Sequence, residues 1–161
     1  MPWDMIRLNY RLHYREIPMS TLRLSHVDSE QDYQACFHVM HELRPHLTDA
    51  ATFIAQARRQ AGQGYSLLAA WQGEQVKGLA GYRIQENLLY GRFLYVDDLV
   101  AVSDARRHGL GSKLIDALRE EAQRQGCAYF VLDTALGNAL GQRFYFRQGL
   151  LAGGMHFSQP L

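Results

Sequence analysis

The chain has 161 residues and is 47% hydrophobic, enough apolar material for one domain with a real core. Its 17 Lys and Arg nearly balance 16 Asp and Glu, which excludes the broad positive field that draws a protein onto nucleic acid, so any anion site is local. Cys36 and Cys127 have apolar neighbours and no paired spacing, and the chain contains neither a leader pattern nor an apolar run of membrane-spanning length. A cytoplasmic protein with two free, buried thiols is therefore expected, away from membranes.

Residues 1–18 are rich in Arg and Tyr, show no period, and end at Pro18 before a second candidate start, Met19. They read as an appendage (a disordered extension, a partner-binding arm or a mis-called start), leaving 19–161 as a single domain. "STLRLSHV" alternates as a short strand, and Asp28 or Ser29 then caps a helix carrying Tyr33, Phe37, Met40 and Leu43 that stops before Pro45. A second helix runs from about Asp49 to Gln60 and ends at Gly62 and Gly64. "YSLLAAW" and "VKGLAGYRI", separated by "QGEQ", form an antiparallel hairpin, and "RFLYVDDLVAV" is a longer third strand.

From Leu110 the pattern becomes Leu110, Leu114, Leu118 and Ala122 with Ile115 alongside, the stripe of a helix lying on a sheet, ended by Gly126. "CAYFVLDT" reads as a buried strand, "NALGQRFYFRQ" as a short helix closed by Gly149, and "LAGGMHF" as a last strand weakened by glycines. The order β-α-α-β-β-β-α-β-α-β predicts an α/β fold. Its central sheet is mixed and partly antiparallel, with helices on both faces and a parallel βαβ unit around Val96 to Thr134.

The most informative stretch is "VSDARRHGLGSKL", Val102 to Leu114. Free N–H groups in a helix's first turn, with the positive end of the helix dipole, attract an anion. Gly109 and Gly111 let phosphate oxygens approach the backbone, and Arg106, Arg107 and His108 add charge, so a diphosphate suits the loop. A P-loop is excluded because Ser112-Lys113 reverses its order and no glycine lies five positions before Gly111. A dinucleotide fingerprint is weak because Leu114 holds the place of its third glycine.

What remains is Arg-x-x-Gly-x-Gly, Arg106 to Gly111, after a strand and opening a helix. In this it resembles the GNAT superfamily of acyl-CoA-dependent N-acetyltransferases, from about Thr21 to Phe157. "YVDDLVAVSDARRHGLGSKLIDALREEAQRQGC" is similar to that family's pyrophosphate motif with its preceding strand, and "FVLDTALGNALGQRFYFRQGL" to its second motif. The resemblance implies that Arg106, Arg107, His108, Gly109, Leu110, Gly111 and Ser112 hold the pyrophosphate of acetyl-CoA. It further implies that the backbone of Leu99, Val100 and Ala101 pairs with pantetheine, and that Asn138 and Tyr145 lie near the thioester. Two positions depart from the family pattern: Ser103 replaces a common proline, and Gly141 a common alanine at a cost of up to about 1 kcal/mol.

An N-acetyltransferase acting on a primary amine by direct attack in a ternary complex is the function so implied, with no metal. A lysine-like amine must first lose a proton, which at pH 7 costs roughly 4–5 kcal/mol. Tyr145 is the candidate donor to the leaving thiolate. Asp133 and Asp98 are candidate bases, with Asp97 a third; strand alternation sets Asp97 and Asp98 on opposite faces, so only one of them should enter the site.

"HELRPHL" lies where the resemblance implies an acceptor cleft built from the first two helices, so His41, Arg44 or His46 would recognise a carboxylate or phosphate on the acceptor, and His156 is a similar candidate. His38 and His41 share a helix face without a third ligand, so no metal is expected. The acceptor is a small-molecule or protein amine, no nucleic acid or membrane is involved, and a homodimer through the sheet edge or the last strand fits the pattern. A non-catalytic acyl-CoA-binding module, or a transferase of longer acyl groups, is the alternative.

Overall fold

The structure is a computed structural model and describes residues 22–161, so the extension expected at 1–18 lies outside the described residues. Five strands form one sheet in the order β1-β2-β3-β4-β5. They are β1 (Leu22–His26), β2 (Tyr65–Gln72), β3 (Gln75–Asn87), β4 (Gly91–Ala101) and β5 (Tyr129–Leu132). The first four are antiparallel and β5 runs parallel to β4, as the βαβ reading requires.

The helices are α1 (Glu30–Leu43), α2 (Ala50–Ala61), α3 (Ser103–Arg106), α4 (Leu110–Arg124) and α5 (Ala139–Arg147). Three begin at side-chain caps: Ser29 Oγ accepts from Asp32 N–H at 3.1 Å, Asp49 Oδ1 from Thr52 N–H at 2.7 Å, and Asn138 Oδ1 from Gly141 N–H at 3.0 Å. Each such cap contributes about 1 kcal/mol. α1 and α2 bury Tyr33, Val39, Met40, Phe53 and Ala57 against Leu67 and Leu79 on one face of the sheet. On the other face α4 buries its predicted stripe against Leu68, Ala80, Leu94 and Val96.

Three expectations change. The loop before α4 contains α3, a single turn. The strand expected over "CAYFVLDT" shortens to Tyr129–Leu132, none of it fully buried, and Cys127 is half-buried rather than buried, although both thiols are free. The last strand does not form: residues 150–161 run without regular structure and Leu151, Met155 and Phe157 are exposed. Gly153 and Gly154 in its middle raise the entropy cost of an extended run and supply no side chain to pack.

One irregularity shapes the site. Gly81 pairs with Asp98 but Tyr82 pairs with Val96, so Asp97 is an extra residue bulged out of β4. Val96 packs on the α4 side, whereas Val100 packs on the α1–α2 side, so the bulge reverses the alternation between them. Asp97 and Asp98 consequently present their carboxylates to the same face, which overturns the expectation from regular alternation.

Candidate active site

β5 pairs with β4 only from Phe93 to Val96. Beyond Leu132 the two strands diverge, and the β4 edge from Asp97 to Ala101 has no strand beside it among the described residues. Val102 N–H donates to Lys77 O, so by ladder alternation Leu99 and Ala101 turn their backbone groups away from β3, toward the open side. Val100, between them, faces β3, so only two of the three expected backbone positions are presented to a neighbour.

The open edge leads to α3 and then to the start of α4. Gly109 stands there at φ 74°, a left-handed conformation that a Cβ would strain, and no side chain caps the helix. Within that helix the first bond found is Lys113 N–H to Gly109 O, which leaves the N–H groups of Leu110, Gly111 and Ser112 outside the helical ladder. Gly111 owes its size to packing: a Cβ there would come 3.1 Å from Phe144 of α5.

Ser112 Oγ accepts from Gln148 Nε2 at 2.8 Å, joining α4 to the end of α5. Arg106 turns back, its Nε donating to Ala101 O at 2.6 Å, and so fixes the strand's last carbonyl. Arg107 and His108 are exposed and have no partner among the described residues.

Asn138 caps α5, its Oδ1 accepting from Gly141 N–H at 3.0 Å and its Nδ2 donating to Thr134 Oγ1 at 3.0 Å. A Cβ at position 141 would collide with the Asn138 side chain, which explains the glycine that departs from the family pattern. Tyr145 lies half-buried on the same helix, its hydroxyl without a partner among the described residues, and burial raises its phenol above the usual range.

On the α1–α2 face, a cleft of about 280 Å³ is lined by Arg44, His46, Gln56, Gln60, Tyr65 and Asp98, with Met40, Leu47, Phe53 and Ala57 as its apolar part. Arg44 does not await a ligand with its whole fork: Nε donates to Asp98 Oδ1 at 2.9 Å and one terminal nitrogen to Asp97 O at 2.9 Å. Tyr65 hydroxyl donates to Asp98 Oδ2 at 2.9 Å, so both Asp98 oxygens are engaged. Burial, then the Asp98 charge, pushes the Tyr65 phenol well above its ordinary range.

Asp97 is clamped by Arg83 Nε at 3.2 and 3.1 Å; burial raises its carboxyl while Arg83 opposes that rise. His41 is not in the cleft lining; its Nδ1 meets Leu47 O at 2.8 Å, and His38 Nδ1 meets Ala35 O at 2.9 Å. Asp133, just past β5, accepts Tyr95 hydroxyl at 2.5 Å and contacts His156 at 3.1 Å.

A sheet that opens beside an uncapped, glycine-started helix, in this element order, is the deciding observation together with the match of residues 27–150 to the acetyltransferase (GNAT) family. The chain belongs to the GNAT acetyltransferase family. It is 24% identical over 125 residues to YhdJ of Bacillus subtilis (strain 168), an uncharacterized N-acetyltransferase, covering 77% of this chain and 87% of that protein. The solved acetyltransferase of Trypanosoma brucei is 22% identical with a TM-score of 0.72, covering 87% of this chain and 99% of its own. The aminoglycoside antibiotic 6'-N-acetyltransferase of Acinetobacter baumannii is 16% identical with a TM-score of 0.75 and the same coverage.

Against this GNAT framework, residues that spacing did not reveal include Tyr65, Arg83, Tyr95 and Gly81. The doubled aspartate in a strand was their one local signal, because adjacent carboxylates imply partners elsewhere in the fold. Among the described residues no helix is long and apolar enough to cross a membrane.

Proposed function

We propose that this GNAT protein transfers an acetyl group from acetyl-CoA to a primary amine by direct attack within a ternary complex. The observation that carries the reading is the continuity of the open β4 edge with the N-terminus of α4. An extended amide chain can hydrogen-bond to Leu99 and Ala101 while a diphosphate meets the N–H groups of Leu110 to Ser112. Acetyl-CoA supplies a thioester, an acyl group already activated for attack.

The chain's own residues orient that thioester, exclude water and move protons. Tyr145 is proposed to donate its phenolic proton toward the leaving sulfur. Cys36 is fully buried and its thiol is pushed up to about 12 by burial, then by the Asp32 charge, so it stays protonated and does not compete as a nucleophile. Asp98, bound at both oxygens, acts as a wall that holds Arg44 and Tyr65 in the cleft.

The acceptor is proposed to enter between α1, α2 and β4. There Asp97 and Asp98 are matched by Arg44 and Arg83, so the cleft carries no net negative field for a polycation. Gln56, Gln60 and His46 suit a small amine bearing hydroxyl or anionic groups.

Calorimetry with acetyl-CoA and with acetyl-pantetheine tests the donor site. Saturable binding of the first, at least about tenfold tighter than the second, is expected from the phosphate contacts. No binding of acetyl-CoA at high micromolar concentration overturns the reading.

A further inference from the structure

On the acetyltransferase reading, the acceptor ammonium must give a proton to a base before its nitrogen can attack. We propose that His156 is that base and that Asp133 is the positioning residue that holds it, an inference that rests on the acetyltransferase reading above. His156 Nδ1 lies 3.1 Å from Asp133 Oδ2, and the same oxygen accepts the Tyr95 hydroxyl at 2.5 Å. With Nδ1–H given to the carboxylate, the lone pair is on Nε2. A carboxylate that orients an imidazole in this way fixes its tautomer and stabilises the imidazolium once it forms.

The location follows from the strand register. Leu132, the last residue of β5, pairs with Val96, so Asp133 stands level with the bulge at Asp97, where the open edge begins. Tyr95 anchors the carboxylate from β4, and its register partner on β3 is Arg83, which holds Asp97 and donates to Gln60 of the cleft lining, so the pair sits on the side of the acceptor cleft. Among the described residues, the side chain that meets the imidazole is Asp133, and the one that meets Asp133 from β4 is Tyr95. The other carboxylates are committed, Asp98 at both oxygens and Asp97 to Arg83. His156 is 64% exposed, so a proton taken from the acceptor can pass directly to solvent.

The proton count closes. His156 Nε2 takes one proton from the ammonium, and the neutral nitrogen attacks the thioester carbonyl, forming C–N as C–S breaks. The sulfur receives a proton from Tyr145, and the second proton lost by nitrogen restores Tyr145 through solvent.

The test uses acetyl-CoA with two probe amines, benzylamine, protonated at pH 7, and aniline, already neutral there, following release of the CoA thiol. In His156→Gln, kcat with benzylamine is expected to fall by about 10²-fold or more while the aniline rate and the KM for acetyl-CoA stay within about twofold. Asp133→Asn should show the same selectivity with a smaller loss. Equal losses on both amines, or none, overturn the inference.

A second readout needs no acceptor. The ring nitrogen signals of His156, assigned by their absence in His156→Gln, should show the Nδ1–H tautomer in the wild type and lose that preference in Asp133→Asn. An Nε2–H ring in the wild type overturns the inference whether or not either amine is turned over. Failure of wild-type protein to bind acetyl-CoA in calorimetry instead marks failure of the acetyltransferase reading itself.

Discussion

Tyr65 reaches Asp98 by lying across Gly81, the residue paired with Asp98 on the neighbouring strand. A Cβ at position 81 would occupy the place of the Tyr65 ring and hydroxyl. The absence of one side chain on β3 is therefore what lets β2 contribute to the carboxylate site on β4.

Gly81→Ala is expected to displace Tyr65 and leave Asp98 Oδ2 unpartnered, costing about 1–3 kcal/mol in urea unfolding. Tyr65→Phe removes the same hydrogen bond without the clash and should cost less. An alanine variant as stable as the wild type would mean that Tyr65 reorients freely.

Tyr145→Phe should lower kcat by about 10²-fold and leave the acetyl-CoA affinity from calorimetry unchanged if the phenol is the proton donor proposed above. A parallel loss of affinity would instead mark the phenol as a binding contact.

Gly109→Ala forces a Cβ into a left-handed backbone conformation at a cost of about 1–2 kcal/mol. The α4 N-terminus would re-form at a different angle, so acetyl-CoA should bind more weakly while acetyl-pantetheine is little affected. Calorimetry with the two ligands separates this from general unfolding.

Alkaline pH should destabilise the protein through Cys36. Its folded-state thiol is raised from an ordinary 9.0 to about 12, so the native state keeps a proton that the unfolded chain releases. That contribution is fully present below the ordinary value and is lost as pH rises toward 12, at up to about 1.4 kcal/mol per unit. Cys36→Ala should flatten the decline of unfolding free energy between pH 8 and 10. The buried tyrosines act in the same direction but start from 10.0, about one unit later.

The elements that could be read from sequence are those whose cause is local. Ser29 and Asp49 announce helix starts because a cap involves residues three apart, and the Leu110, Leu114, Leu118 stripe announces α4 because burial repeats along one helix. The expectation of an anion site before α4 rests on an equally local pattern of glycines and basic residues. The bulge at Asp97 was not legible, since it exists only in the register between β3 and β4 and leaves no mark in the spacing of either strand. Arg44 reads as an acceptor residue from its sequence neighbours, and its bond to Asp98, 54 residues away, is visible only in the fold. His156 reads from sequence as a candidate to recognise the acceptor, and its pairing with Asp133 emerges only from the fold.

The gap along β4 also has a thermodynamic meaning. Leu99, and the N–H of Ala101 whose carbonyl Arg106 already takes, carry backbone groups that an ordinary inner strand would satisfy with a neighbour, so the free protein is, in effect, one partial strand short along this edge. A ligand that runs along this edge supplies the missing ladder and becomes part of the fold while bound. Unfolding should then be linked to its concentration, with about 2.7 kcal/mol added at a hundred times the dissociation constant. The amides of Leu99 and Ala101 should pass from fast to slow hydrogen exchange as the ligand fills the edge.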